Sequence, residues 1–224
     1  PERADQIGAF EECLQFELLD EAATLFRKFT GYRPAAFRAG GYSARRSTLR
    51  CLRKLDILID SSFNPCYGMC SFPDEGLTPN LVSPIDGIWE FPITVARTRL
   101  PEGYEGFKHA DPSAMSVSEL VAMLEMGAAE GQQHFVIVFH CFSTVKAKDE
   151  TYAEMKPNKI VIRRLAKLMD YLAKHSDRFR VTTMGSAVPT LGSIQAQCPP
   201  LVRLPFVSSA LRKSAQLVNR LYWL

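Results

Sequence analysis

Five polar residues stand where short apolar runs end: Arg38 after Ala35-Ala36-Phe37, Asp60 after Ile57-Leu58-Ile59, His140 after Phe135 to Phe139, and Thr182 with Thr183 after Phe179-Arg180-Val181. In parallel α/β sheets and barrels the active site forms at the carboxyl ends of strands, where loops converge over a rigid frame. His140 is the candidate for proton transfer, because imidazole titrates near neutral pH without a perturbed environment. The alternative is a histidine hydrogen-bonded at the edge of the core. Arg38 cannot serve as acid or base, so its chemistry would be to hold a carboxylate through paired N–H donors. A surface ion pair is the alternative. In FRAGGYS (37–43) the glycines Gly40 and Gly41 let backbone approach a ligand and aim amide N–H groups at a developing oxyanion, or else serve an ordinary turn.

Asp60-Ser61-Ser62 either binds a ligand or, the preferred reading, caps neighbouring loops. Asp86 and Trp89, in DGIW, make either a polar and aromatic sugar platform or a buried Trp beside a turn. His134 opens its apolar run, while His109 and His175 fall in a loop and at a helix end and read as solvent-facing. Cysteines 13, 51, 66, 70, 141 and 198 lack the rhythm of a disulfide scaffold and read as free thiols. Cys66 and Cys70 (CYGMC) have the spacing to pair or share a metal, but no second Cys/His pair at zinc-finger spacing accompanies them.

Those strand ends need elements to hold them. Leu14, Phe16, Leu18, Leu19, Ala22, Leu25, Phe26 and Phe29 recur at helical spacing, and Gly31 with Pro34 supplies a stop. Pro34 pushes AAFR towards extended geometry. Ser43 is the expected cap of a second helix, with Leu49, Leu52 and Leu55 on one face, which feeds the strand ILIDSS. Helix, strand, helix and strand in succession predict an α/β fold with parallel strands. Residues 63–88, rich in Pro, Gly, Asn and Asp, predict a long loop. WEFPITV predicts a strand, edge-like because of Pro92, and Ser116-Val-Ser-Glu119 a capping box opening a helix to Glu125 or a little beyond. HFVIVFH is the clearest buried strand, residues 158–174 a long helix, and RFRVTTM the last strand.

The end of the chain differs. Beyond a Pro-containing linker, residues 206–224 set Val207, Ala210, Leu211, Leu217, Val218 and Leu221 against Arg212, Lys213, Gln216 and Arg220. This amphipathic helix either packs on the body, meets a membrane surface or binds a partner. With 224 residues, 46% hydrophobic and 23% charged, the chain has the composition of an ordinary globular protein of one large or two small domains. No apolar run reaches the about eighteen residues of a membrane span. A net charge of +3 is too small to argue for nucleic acid as a partner, although no Asp or Glu follows Asp177 and the end is basic. The start at Pro-Glu-Arg shows no signal peptide and reads as a processed or truncated chain, which leaves cytoplasm and cell envelope both open.

GYRPAAFRAGGYS, LRKLDILIDSSFNP, GIWEFPIT and FVIVFH, in that order, resemble the later motifs of the polysaccharide deacetylases, the fourth carbohydrate esterase family. The resemblance implies an incomplete distorted (β/α)7-type barrel over residues 1–190, followed by the linker and helix of 191–224. It implies metal-assisted hydrolysis of N-acetyl groups on an amino-sugar polymer or oligosaccharide. Carried over by position, Arg38 orients a catalytic Asp, His140 donates the proton, and Gly41 with Tyr42 falls where an amide faces the oxyanion. Trp89 falls near the wall around the acetyl methyl group, with Asp86 as its partner.

Two departures stand out. Ala39, Gly40 and Gly41 replace a proline and aromatic usual after the arginine, and the chain holds neither an adjacent Asp pair nor a His-x-x-x-His. The resemblance therefore implies a divalent metal, zinc in most of the family, whose ligands lie upstream of Pro1 together with the base. This chain is not expected to be a competent zinc hydrolase on its own. Two other readings stand beside this one: a carbohydrate-binding or scaffold relative without the metal, and a metal-free amide hydrolase on the same fold.

Overall fold

The computed structural model describes residues 6–67, 77–99, 105–149, 151–194 and 201–205. The chain divides into two compact units, Pro1–Thr94 with Thr182–Pro199, and Val95–Val181 with Pro200–Leu224.

In the first unit the helical pattern forms α1, Glu12–Thr30, and Gly31 closes it in the left-handed region at φ 79, its N–H on Arg27 O. Pro34 leads into β1, Ala36–Phe37. A 3-10 turn at Gly40–Tyr42 comes before α2, Arg46–Lys54. Ser43 is not the cap of α2. Its hydroxyl donates to Gly40 O, inside the preceding turn, and the helix begins at Arg45, whose N–H donates to Thr48 Oγ1 at 3.1 Å. Then come β2, Ile59–Asp60, β3, Ser83–Ile85, and β4, Ile88–Glu90, in the sheet order β1-β2-β4-β3.

β1, β2 and β4 run parallel, and β3 pairs antiparallel with β4. Asp86 and Gly87 join the last two with φ 50 and 83, the two positive angles of a tight hairpin turn. The long loop expected over 63–88 thus contains a hairpin. The Asp-Gly pair between Ile85 and Ile88 was its signal. Residues 68–76, with Cys70, lie outside the described residues. Leu19, Leu49, Cys51, Leu52, Ile57, Phe63, Ile85 and Ile88 form the core between helices and sheet.

In the second unit β5, Val95–Arg99, pairs antiparallel with β6, Glu105–His109, and the segment 201–205 lies beside β5 through a parallel bridge from Arg97 to Arg203. The capping box forms as expected: Ser116 N–H donates to Glu119 Oε2 at 2.9 Å, Glu119 N–H to Ser116 Oγ at 3.2 Å, and α3 spans Val117–Ala129. β7, Val145–Ala147, and β8, Met155–Pro157, make a second antiparallel pair before α4, Lys159–Lys174, capped by Asn158. A core of Ala96, Met115, Leu120, Met123, Leu168 and Phe179 joins α3 and α4 to β5. α5, Met184–Ala187, returns to the first unit.

Three expected strands change. HFVIVFH carries no ladder among the described residues: Val136 and Val138 are buried in alternation, and Val138 N–H donates to Ala110 O at 2.9 Å. Alternation showed a buried face, which does not by itself supply a pairing partner. RFRVTTM is likewise unladdered, with Phe179 buried and Val181 exposed. WEFPITV is two pieces, since β4 ends at Glu90 and β5 begins at Val95, with Pro92, which has no N–H, between them. The described strands close no barrel. No helix among the described residues is long and apolar enough to cross a membrane. The amphipathic segment 206–224 and Cys198 lie outside the described residues.

Candidate functional site

The register of the parallel strands sets Phe37 beside Asp60 and Asp60 beside Glu90, so Arg38, Asp60 and Glu90 stand at the carboxyl ends of β1, β2 and β4. The residues just beyond stitch these ends together. Ser61 N–H donates to Phe37 O at 3.0 Å and Phe91 N–H to Asp60 O at 2.8 Å. Arg38 donates through Nε to Ser61 O at 2.9 Å and through Nη2 to Ser61 Oγ at 2.8 Å, while that hydroxyl donates to Phe91 O at 2.7 Å. Ser62 works the same way on the other side: its Oγ accepts Ala39 N–H at 2.9 Å and donates to Asp60 Oδ1 at 2.7 Å. Phe63 N–H donates to Glu90 Oε1 at 2.8 Å. The triplet read as loop caps is therefore the seam that holds Arg38 in place.

Asp60 and Glu90 are both 0% exposed. Burial pushes the carboxyl pKa of each upward, and Glu90 is raised well above the usual range because the Asp60 charge and an Asp60–Glu90 hydrogen bond add to its desolvation. Asp60 Oδ2 and Glu90 Oε2 have no conventional donor among the described residues. Desolvation lowers the Arg38 pKa, against which Tyr42, Asp60 and Glu90 act in turn. Arg38 stays charged and, as a residue, exposed. It is an arginine anchored on its inner side and open to solvent. Asn64, buried nearby in sequence, accepts Cys66 N–H at Oδ1, and its Nδ2 has no acceptor among the described residues.

Gly41 (φ 58) and Tyr42 (φ 59) follow in a left-handed turn, and a Cβ on Gly41 would meet nothing within 4 Å. Tyr42 stacks on Tyr67 with ring centroids 5.1 Å apart and is among the groups that act on the Arg38 charge. The sheet thus gathers Arg38, Gly41 and Tyr42 at one end. Asp86 is at the other. It precedes the amino end of β4, in the hairpin turn, with Arg46 Nε 3.5 Å from Oδ2 and Arg53 donating to its carbonyl at 3.3 Å, so it is a turn residue. Trp89 sits in β4 opposite Ile59, one residue before Glu90 and so on the opposite face of the strand.

His140 belongs to the second unit, exposed and stacked on Phe142 with centroids 4.7 Å apart, just before a 3-10 turn at Cys141–Thr144. Thr183 caps α5 by accepting Ser186 N–H. His109 and His175 are not solvent-facing: His109 ends β6 with Nε2 3.7 Å from Asp111 Oδ2, and His175 stacks on Tyr171 at 4.2 Å. His134 is half-buried, and burial lowers its pKa. Cys13, Cys51, Cys66 and Cys141 are free thiols. No three His, Cys, Asp or Glu side chains among the described residues gather as a metal ion requires.

Sequence reasoning missed Glu90 and Tyr67. Glu90 had a signal, an acid enclosed by Ile88, Trp89, Phe91 and Ile93, which is where a charge is costly unless partnered. Tyr67 had none, because its place follows from the Asn64 turn that delivers it to Tyr42. No family model, no curated protein and no solved structure matches this chain.

Proposed function

We propose that the protein removes N-acetyl groups from an amino-sugar polymer or oligosaccharide by hydrolysis, and that β1, β2 and β4 belong to a deacetylase-like barrel. One observation carries this reading. Arg38, which the resemblance assigns to holding a carboxylate, follows a parallel strand at its carboxyl end, its guanidinium fixed by two hydrogen bonds to Ser61 while the side chain remains exposed. A guanidinium fixed in advance loses little freedom on taking its anion, so it can orient the carboxylate of a general base.

Gly41 lies three residues on, with open space where a side chain would be, which suits the approach of a developing oxyanion to its amide. Tyr42 and Tyr67 supply an aromatic wall beside Arg38. Asp86 has no part in this reading. His140 keeps, from its motif, the role of protonating the leaving amine, because an amide nitrogen departs poorly until protonated. The resemblance implies a divalent metal, and the described residues do not fit one. The roles of Arg38, Gly41 and His140 are those of the side chains and backbone themselves.

The test is acetate release from N-acetylglucosamine oligomers, with zinc added, by the full-length protein. Release is expected, falling about a hundredfold or more in His140→Ala. In Arg38→Ala the rate should fall and the acid limb of the pH profile move upward, since the base loses its cationic neighbour. Near-normal turnover in His140→Ala would sink its assignment. Oligomer binding without acetate release favours a carbohydrate-binding relative, and release without metal favours a metal-free amide hydrolase.

A further inference from the structure

The Asp60 and Glu90 carboxyls are adjacent in register and wholly buried. Two carboxylates cannot share a hydrogen bond without a proton. One oxygen of each is already engaged, Asp60 Oδ1 by Ser62 and Glu90 Oε1 by Phe63 N–H, which leaves Asp60 Oδ2 and Glu90 Oε2 without a donor. A single proton between these two oxygens satisfies both. It also leaves one negative charge beneath Arg38, whose guanidinium both acids attract.

We propose that Asp60 and Glu90 hold one proton between them and act as a positioning pair for Arg38, presenting it with a single buried negative charge. This deepens the reading of Arg38 as the holder of a carboxylate and rests on that reading for its use. With one proton the pair and Arg38 together are neutral; with two the guanidinium pulls on an outside anion uncompensated, and with none the cluster is net negative and repels it. The proton count of the pair therefore sets how strongly Arg38 holds its carboxylate.

The neighbouring groups leave this assignment in place. The turn after β1 brings Arg38 and Tyr42, and the loop after β2 brings Ser61 and Ser62, already bonded as described. From the helices packed on this sheet the titratable group in the core is Cys51, whose thiol burial pushes up and keeps neutral.

The experiment is a pH titration by NMR of the full chain labelled with carbon-13 in glutamate and nitrogen-15 in arginine, with Glu90→Gln and Arg38→Lys to assign the Glu90 carboxyl and Arg38 Nε–H signals. The expected result is a protonated Glu90 carboxyl at pH 7 and an Arg38 Nε–H signal that moves in the same step as Glu90 ionises. Glu90→Gln, close to an isostere of the protonated acid, should abolish that step and leave the Arg38 signal near its pH 7 position. An ionised Glu90 at pH 7 overturns the shared proton. An Arg38 signal indifferent to Glu90 reduces the pair to a structural one and overturns its positioning role. Both readouts come from the wild-type protein, so a variant that fails to fold does not shelter the proposal. Absence of acetate release with the titration intact would instead fault the deacetylase reading alone.

Discussion

Two pairs of carboxylates, one in each unit, are treated in opposite ways. In the first, Asp60 and Glu90 are taken wholly out of water side by side. In the second, Asp111 and Glu125 keep some exposure and collect donors. Ser113 gives Asp111 an N–H at 2.7 Å and a hydroxyl at 2.6 Å, and Arg178 gives Glu125 two bonds at 3.0 and 2.6 Å alongside the Tyr171 hydroxyl. Glu119 is buried too, but it closes a capping box at the start of α3. Burial without cationic contact raises a carboxyl pKa, whereas donors lower it. Asp60 and Glu90 are raised. Asp111 is lowered because His109 and Ser113 outweigh its burial, and Glu125 because of Tyr171 and then Arg178.

The sign of the pH response therefore reverses between these two pairs. A raised folded pKa contributes stability that is complete below the ordinary carboxylate range and is lost as pH rises through the folded value; a lowered one contributes stability present above that range and lost as pH falls. Urea titrations from acid to alkaline pH should show Glu90→Gln removing an alkaline loss and Asp111→Asn removing an acid loss. The same pH dependence in both variants would erase the contrast.

The largest effect should come from breaking the buried pair on one side. Glu90→Ala leaves Phe63 N–H without its acceptor and Asp60 without its partner, and one-sided loss of a buried polar pair costs about 3 kcal/mol. The single variant Glu90→Gln keeps the acceptor for Phe63 N–H and puts an N–H donor where the shared proton stood, and should stay within about 1 kcal/mol of wild type at neutral pH. Fluorescence of Trp89, in β4, reports the unfolding. If Glu90→Ala leaves the urea midpoint unmoved, the pair is not held as described.

How much of this was legible follows from what each feature depends on. α1, the α3 capping box and α4 came straight from periodicity and caps, because those signals are local. Arg38 and Asp60 were legible as strand ends, since a short apolar run closed by a polar residue needs no partner to be noticed. Pairing was not legible. HFVIVFH is a continuous apolar run with no ladder among the described residues, and Asp86 looked like a site residue because a sequence does not say to which end of β4 a turn belongs. Glu90 escaped for the same reason: its meaning comes from standing opposite Asp60, a fact of register.

A smaller effect tests why the second unit tolerates a buried acid at all. Ser116→Ala removes the hydroxyl that accepts Glu119 N–H and also donates to Glu119 Oε2, which for an N-cap costs about 1 kcal/mol. A markedly larger loss would mean that Glu119, like Glu90, relies on one fragile partner, and the contrast between the units would narrow. An unchanged midpoint would mean that α3 is held by its core contacts alone.

The smallest effects separate the two residues proposed to act on substrate. Arg38→Ala removes two donors from Ser61, and because the side chain is exposed and water can replace them the loss should be about 1 kcal/mol. His140 makes a ring contact with Phe142 and no side-chain hydrogen bond among the described residues, so His140→Ala should leave the urea midpoint unchanged. The two variants then differ in stability while both lose acetate release. Arg38 is fixed by Ser61, whereas the described contact of the His140 ring is with Phe142. A stability loss in His140→Ala matching that of Arg38→Ala would show that both side chains are held in advance.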